Sequence, residues 1–267
     1  MEIRDLLVHL DNSAASAARL DVAIAFARKH GARLRGLYLI THCYYESSLI
    51  GEKNDREKAE QFFTDKTSEA GITSDWVFQE CSTVGSSVSD LIVTYAYFTD
   101  LLIIGQVNHS APVIHIPADL VERVILTSGR PVLVIPHSGI FKTAGDRIMI
   151  AWRGGRESIR AVNDALPHLQ KAQKVAIVEC KKADDLYDAG IESIKDFLLK
   201  HEIIATVDVI ITGSFPIGDM LLNNICEKNI DLLVMGAFAP NRRGRLELSP
   251  VAKHLLEHLT APVLMSH

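Results

Sequence analysis

The sequence predicts an α/β protein built as two tandem domains, each a doubly wound parallel sheet of five strands. Two observations carry this prediction: short apolar runs alternate with helical patterns, and the first half of this series recurs in the second half. Apolar strands separated by helices are typical of parallel sheets covered on both faces and joined by right-handed crossovers. A chain of 267 residues has room for two such domains.

The repeat is clearest where each half begins. An apolar run at 6–10 leads into a polar turn at 11–13 and then a helical pattern. In the second half the run at 148–152 leads into a Gly-rich turn at 153–155 and another helical pattern. Each half therefore opens with the series strand, turn and helix.

The later parts of the two halves match at a shorter spacing. Residues 100–105 match 231–236, and 131–134 match 262–265. These matches lie closer together along the chain than the two opening strands do, so the first copy carries extra residues in its middle. We expect them in a polar, helix-bearing surface insertion at about 41–74.

The apolar runs predict five strands in each copy. They lie at 6–10, 33–40, 75–79, 101–105 and 131–135, and at 147–152, 174–179, 205–211, 231–235 and 262–266. The predicted domains are residues 1–137 and 146–267. Two glycines mark residues 138–145 as the linker.

Composition favours an ordinary globular chain and argues against several functions. Apolar residues make up 48% and charged residues 23% of the chain, and its net charge of −5 offers no basic field for nucleic-acid binding. No apolar stretch reaches the roughly 20 residues of a membrane span, and the N-terminal run is too short for a signal peptide. The four cysteines form no CxxC pair, so we expect reduced thiols, no zinc site and a cytoplasmic location.

With this order of elements, the chain resembles the universal stress protein family over nearly its whole length. The resemblance rests on Asp-Asn-Ser at 11–13, on fourth strands ending at Gly105 and Gly236, and on the closing strands at 131–134 and 262–265. It implies an adenine nucleotide alpha hydrolase-like fold with strand order 3-2-1-4-5, and pairing through the fifth strands. In one subgroup, ATP is held by a loop of the form Gly-x2-Gly-x9-Gly-Ser/Thr.

Neither copy keeps that loop complete. In copy one Asn108 replaces the second Gly, Ala118 the third, and Asp119 the Ser or Thr, which places a carboxylate where phosphate would lie. In copy two Ala239 and Ser249 replace glycines. Pro250 stands at the last position and removes one backbone N–H.

The nucleoside side of the pocket also differs between the copies. Asp11 matches the acidic residue that contacts the nucleoside in binding members, whereas Arg153 stands there in copy two. Arg242 and Arg243 belong to a cationic loop that could offset the lost donor, so we expect copy two to be the better anion site. The candidate nucleotide-binding residues are Asp11, Asn12, Ser13, Gly105, Asn108, Arg153, Gly154, Gly155, Gly236, Arg242, Arg243, Ser249 and Val251.

Other motifs point to no catalytic centre. The H-x-x-E-H pattern from His254 to His258 could hold zinc, but the matching helix of copy one has no such ligands, so an ordinary helix surface is the better interpretation. His9 and His168 are expected to pack or cap. No dinucleotide-binding, Walker-type or nucleophile-elbow motif is present.

The sequence thus predicts a non-enzymatic stress-response or regulatory protein with degenerate nucleotide pockets and no certain cofactor. The two domains are expected to form an intrachain pseudo-dimer, and a homodimer is a further expectation. The alternative is a stress sensor that binds and slowly hydrolyses ATP or binds another adenine nucleotide. A remote alternative is a metal-dependent enzyme using His254 and His258.

Overall fold

A computed structural model describes residues 2–41, 49–81, 87–110, 116–141, 144–182, 189–240 and 246–267. Within it the chain divides into two compact units, Glu2–Ile140 and Phe141–His267. The exact extent of the predicted linker, 138–145, stays a prediction.

The first unit alternates strands and helices from end to end. Its elements are β1 (Asp5–Leu10), α1 (Ser16–His30), β2 (Arg33–Thr41), α2 (Leu49–Glu69), β3 (Ser74–Cys81), α3 (Val88–Ala96), β4 (Leu101–Gly105), α4 (Leu120–Thr127) and β5 (Val132–Ile135). Their strands form a parallel sheet in the order β3-β2-β1-β4-β5. The predicted α/β class and the order 3-2-1-4-5 are confirmed.

Apolar side chains on both faces of the central strands pack against the helices that cover the sheet. β1 and β4 are buried along almost their whole length, as continuous apolar strands in a parallel sheet require. They are neighbours, with Leu6 opposite Leu101 and Val8 opposite Ile103. Because both run in the same direction, their carboxyl ends open at the same edge of the sheet. This is where the chain order of the sheet switches, and it is where ligands bind in open α/β sheets.

The second unit repeats the series. Its elements are β6 (Arg147–Ala151), α5 (Gly155–Leu169), β7 (Lys174–Lys181), α6 (Ile191–Lys200), β8 (Ala205–Ile211), α7 (Ile217–Glu227), β9 (Leu232–Gly236), β10 (Phe238–Pro240), β11 (Leu246–Leu248), α8 (Pro250–Glu257) and β12 (Val263–Ser266). Its parallel sheet has the order β8-β7-β6-β9-β12, which is again 3-2-1-4-5. All ten predicted strands are present within one or two residues.

The two units differ in three places. α2 has 21 residues and its counterpart α6 has 10, so the extra length predicted for the first copy lies in a helix. β10 and β11 form a small antiparallel hairpin that the sequence analysis missed. α5 begins at Gly155, ahead of Ser158, which matches the first residue of α1, Ser16.

No helix among the described residues is long and apolar enough to cross a membrane.

Candidate functional site

Two of the residues predicted to form a site in the first unit, Asp11 and Gly105, lie at the switch point. Asp11 follows β1 directly, and Gly105 ends the adjacent strand β4. In the second unit Arg153 follows β6 and Gly236 ends β9, which are likewise neighbours. Each unit therefore places its two predicted landmarks at the ends of neighbouring strands, and the side chains between them determine what could bind there.

A buried arginine fills this position in the first unit. Arg19, in the N-terminal part of α1, has a side chain that is only 3% exposed. Its Nη1 donates to the carbonyl oxygen of His9 at 2.6 Å, and Nη1 and Nη2 both donate to Oδ2 of Asp11 at 3.0 Å. The acidic group predicted to contact a nucleoside is thus already paired within the chain.

The same guanidinium also closes the approach to Gly105. A methyl group added at Gly105 would lie 2.6 Å from Nη2 of Arg19, well inside contact distance. In the family loop, the first glycine lets a ligand come close to the backbone. Here the close approach that Gly105 allows is made by Arg19 instead.

Burial and charge set the protonation of this cluster. Burial alone would raise the pKa of Asp11, but the Arg19 charge, with His9 and hydrogen bonds involving Ser13, lowers it to about 2. Burial lowers the pKa of His9 to about 4, with Asp11 opposing the shift and Arg19 adding to it. At neutral pH the cluster is therefore an Asp11–Arg19 ion pair beside a neutral His9.

The remaining candidates of the first unit make local contacts. The Ser13 N–H donates to Oδ1 of Asp11 at 2.9 Å, and Oδ1 of Asn12 accepts from the Tyr38 hydroxyl at 2.6 Å. Oδ1 of Asn108 accepts from the Ser110 N–H at 3.0 Å. Asp119 stands at the start of α4, and its side chain makes no capping hydrogen bond there.

In the second unit, helix backbone rather than a side chain meets the strand-end glycine. The first turn of α5, made possible by left-handed φ angles of 74° at Gly154 and 84° at Gly155, extends over the end of β9. A methyl group added at Gly236 would lie 2.7 Å from the carbonyl carbon of Glu157 and 2.8 Å from its Cβ. Gly236 therefore permits close helix packing, and the neighbouring side chain is acidic.

In the second unit the sequence predicts that an anion binds at the N-terminus of α8, but some of the backbone N–H groups there are already bonded within the chain. Ser249 caps α8, because its Oγ accepts from the Ala252 N–H at 3.1 Å. Its own N–H donates to the Ala237 carbonyl at 3.0 Å, and Val251 lies half-buried in the first turn. Arg242 and Arg243 lie outside the described residues. That copy two is the better anion site stays a prediction.

An open cavity of about 350 Å³ lies beside these elements in the second unit. Its apolar wall is formed by Trp152, Ile159, Ile194 and Phe197, and the glycines that begin α5 and α6, including Gly155 and Gly190, lie at its rim. The indole Nε1 of Trp152 donates to the Ala189 carbonyl at 2.7 Å, which fixes one wall. The cavity has room for a small molecule with an apolar ring.

The histidines of the H-x-x-E-H pattern contact Asp219 and each other, which is not the arrangement of ligands in a zinc site. His254 Nε2 lies 2.7 Å from Oδ1 of Asp219 on α7, and the rings of His254 and His258 pack with centroids 4.7 Å apart. Across the described ranges, no three His, Cys, Asp or Glu side chains come together in a geometry that could hold a metal ion. This arrangement joins α7 to α8.

Comparison with solved structures identifies the fold. A universal stress protein from Archaeoglobus fulgidus DSM 4304 is similar over 99% of this chain and 96% of its own, with a TM-score of 0.74 and 17% identity. The chain has the universal stress protein fold, in two copies. A functionally unknown protein from Pseudomonas aeruginosa PAO1 covers 99% of this chain and 92% of its own at a TM-score of 0.60 and 15% identity. The sequence matches no protein-family model and no curated protein.

Two residues that fill the strand-end positions, Arg19 and Glu157, were missed by the sequence analysis. A signal for Arg19 existed, because it is the one cation in the first turns of α1, next to the largely apolar run that begins at Leu20, and it lies eight positions after Asp11. Buried arginines are rare unless they are paired, so its acidic partner could have been sought nearby. For Glu157 the only signal was the Gly-Gly pair before it.

Proposed function

We propose that this chain is a non-enzymatic stress-response or regulatory protein whose two nucleotide-type pockets are degenerate. The observation that carries the proposal is the Arg19 guanidinium, which pairs with Asp11 and lies against Gly105. A nucleotide entering there would have to displace a buried cation and leave its carboxylate partner to be resolvated or rebound. Such displacement is strongly unfavourable.

The second unit supports the same proposal by a different route. The first turn of α5 packs on Gly236, and Glu157 belongs to that turn. A phosphate brought close to this backbone would meet an acidic neighbour, and like charges in a partly desolvated site repel. Pro250 removes one further donor at the start of α8.

The proposal is tested by native mass spectrometry of the full chain together with an ATP hydrolysis assay. We expect the purified protein at its apo mass and phosphate release at the rate of the buffer alone. An adenine nucleotide retained through purification, or hydrolysis that Asp11→Ala abolishes, would contradict it.

Since the proposed role needs no secretion, we also place the protein in the cytoplasm as a proposal.

A second candidate, an adenine-nucleotide sensor, is favoured by the cavity of the second unit. The cavity lies at the carboxyl end of β6 directly beside Arg153, and its Trp152 and Phe197 rings could stack on a base. Ser193→Trp would fill the cavity, whereas Lys195→Trp, on the same helix but outside the lining, is its control. ATP binding lost only in Ser193→Trp would support the sensor, and ATP binding unaffected by it would rule out this cavity.

The pseudo-dimer rests on the family resemblance and on the general need of apolar edge strands for cover. We propose that the fifth strands of the two halves pair. Separately produced halves, residues 1–140 and 141–267, are expected to co-elute as a one-to-one complex. Halves that fold but do not associate would contradict this pairing.

A further inference from the structure

The outer edge of β8 has the features of an interaction surface. β8 is the last strand of the sheet of the second unit, and among the described residues it pairs only with β7. Its sequence, Ala-Thr-Val-Asp-Val-Ile-Ile, contains one charged residue, Asp208. Natural edge strands are usually protected by charges, proline, bulges or a covering segment, because their free backbone groups template further pairing.

The direction of the backbone groups follows from the register with β7. Ile211 lies opposite Lys181, and the Thr212 N–H donates to the Lys181 carbonyl. In a parallel ladder this places the N–H and C=O groups of the even-numbered residues toward β7. The groups of Val207, Val209 and Ile211 therefore point outward along the free edge.

The same odd-numbered residues present apolar side chains. Val209 is 48% exposed and Ile211 52% exposed, although both lie within a strand. Other large apolar side chains with high exposure occur just before and after this strand, at Leu199, Ile204 and Phe215. An unpaired edge with an apolar face is a site for strand addition.

The edge strand at the same position of the first unit is built differently. β3 carries Asp75 and Glu80 and packs against the long helix α2. Asp75 is held by Arg33 at 3.0 Å. In the second unit the counterpart helix is about half as long, since α2 has 21 residues and α6 has 10. α6 still packs against β8, but β8 has one charged residue where β3 has two acidic ones, so the protection by charge seen at β3 is reduced at β8.

We propose that β8 pairs antiparallel with β8 of a second copy of this chain, with the two-fold axis at Val209. Outward-pointing residues must face each other in such a pair, so odd-numbered residues lie opposite odd-numbered ones. With the axis at Val209, Val209 faces its own copy and Val207 faces Ile211, which gives an all-apolar face. The interface is isologous, because a two-fold axis brings the same surface of both copies together.

Charge selects this register over the neighbouring one whose axis lies at Asp208. Moving the axis to Asp208 would also align odd-numbered residues, but it would place the two Asp208 carboxylates directly opposite each other, and like charges opposite in a sheet are destabilising. With the axis at Val209, Asp208 lies opposite Ile210. Asp208 keeps its hydrogen bond with Lys228, with Nζ and Oδ2 2.5 Å apart on the face toward α7.

The first test is the oligomeric state of the full chain by sedimentation velocity. The native protein should reach the dimer mass as its concentration rises. Val209→Lys should weaken dimerisation about a hundredfold or more, because two ammonium groups would meet at the axis. Thr206→Lys, on the same strand but the opposite face, should remain dimeric. A native protein that stays monomeric would overturn the proposal, and this includes the case in which β8 binds a strand of another protein. A Val209→Lys variant that stays dimeric would also overturn it.

The second test fixes the register and does not depend on how well Val209→Lys folds. Cα atoms of a hydrogen-bonded antiparallel pair are about 5.5 Å apart, within the range of about 4.4–6.8 Å that disulfides span. Val209→Cys should therefore form a covalent dimer under mild oxidation, and Thr206→Cys should not. The native chain, with its exposed Cys226, gives the background. Equal cross-linking of both variants, or none at residue 209, would overturn the register.

Discussion

The guanidinium of Arg19 lies so close to Gly105 that a single methyl group there would come within 2.6 Å of its Nη2. The same guanidinium holds Asp11 at 3.0 Å. One buried side chain thus occupies both landmarks by which the first copy resembles a nucleotide pocket. The strand-end geometry of the fold is kept, but the space that it creates is used for internal packing.

Removing the arginine should destabilise the protein strongly. Arg19→Met leaves the carboxylate of Asp11, only 13% exposed, without its partner, and the expected loss is about 3 kcal/mol. The double variant Asp11→Asn with Arg19→Met should lose less than the single one, because no unpaired charge remains. Urea unfolding measures both, and an Arg19→Met variant as stable as the native chain would show that the ion pair contributes nothing.

Acidification should reveal the buried His9. Its pKa is about 4 in the folded protein against an ordinary 6.5, so the unfolded chain binds a proton more readily between these values. The contribution of the neutral His9 to the free energy of unfolding is therefore fully present above pH 6.5. It is lost as the pH falls toward 4, by about 3 kcal/mol. His9→Gln should flatten this decline, whereas His258→Gln, at an exposed position, should not. Urea unfolding at several pH values measures the slope.

Asp11 should act in a separate, more acidic window. Its pKa is about 2 when folded and 3.8 ordinarily, so its contribution is present above pH 4 and disappears as the pH falls to 2. The expected size is about 2 kcal/mol. Asp11→Asn should remove the loss in this window, while the decline due to His9 should remain and extend to lower pH, because Asp11 opposes the lowering of the His9 pKa. A native chain with no stability change below pH 4 would contradict the assignment.

The two strand-end glycines should respond differently to alanine. Gly236→Ala meets the backbone of Glu157, which cannot move alone, so we expect a loss of about 2 kcal/mol that Glu157→Ala does not rescue. At Gly105 the obstacle is only the Arg19 side chain. Gly105→Ala should therefore cost little in an Arg19→Ala background. Thermal unfolding of these variants tests this, and rescue of Gly236→Ala by Glu157→Ala would contradict the packing described.

The sequence was sufficient for the architecture, because the apolar strands are buried on both faces and stand out as continuous runs. The repeat added independent support, since the second copy shows the same strands in the same order. The β10–β11 hairpin was missed because Phe238–Pro240 and Leu246–Leu248 are three residues each, too short to give a period.

The contacts of Arg19 and Glu157 at the two strand ends could not be derived from motif positions, because neither residue belongs to a motif. Asp11 lies at the end of β1, next to the switch point, but its partner comes from a helix turn further along the chain. The repeat did hold a clue. Where copy one has Asp11 and Arg19, copy two has Arg153 and Ala161 at the matching positions, so the acid and its buried cation are absent together.

Titration of the native chain with ATP and magnesium by calorimetry is the decisive measurement. If Arg19 and the first turn of α5 fill the two pockets, binding should be weaker than about micromolar, or about −8 kcal/mol. A submicromolar dissociation constant that Asp11→Ala abolishes, while Arg242→Ala with Arg243→Ala leaves it intact, would show that the first pocket opens to nucleotide and that the pairing of Arg19 with Asp11 does not close it.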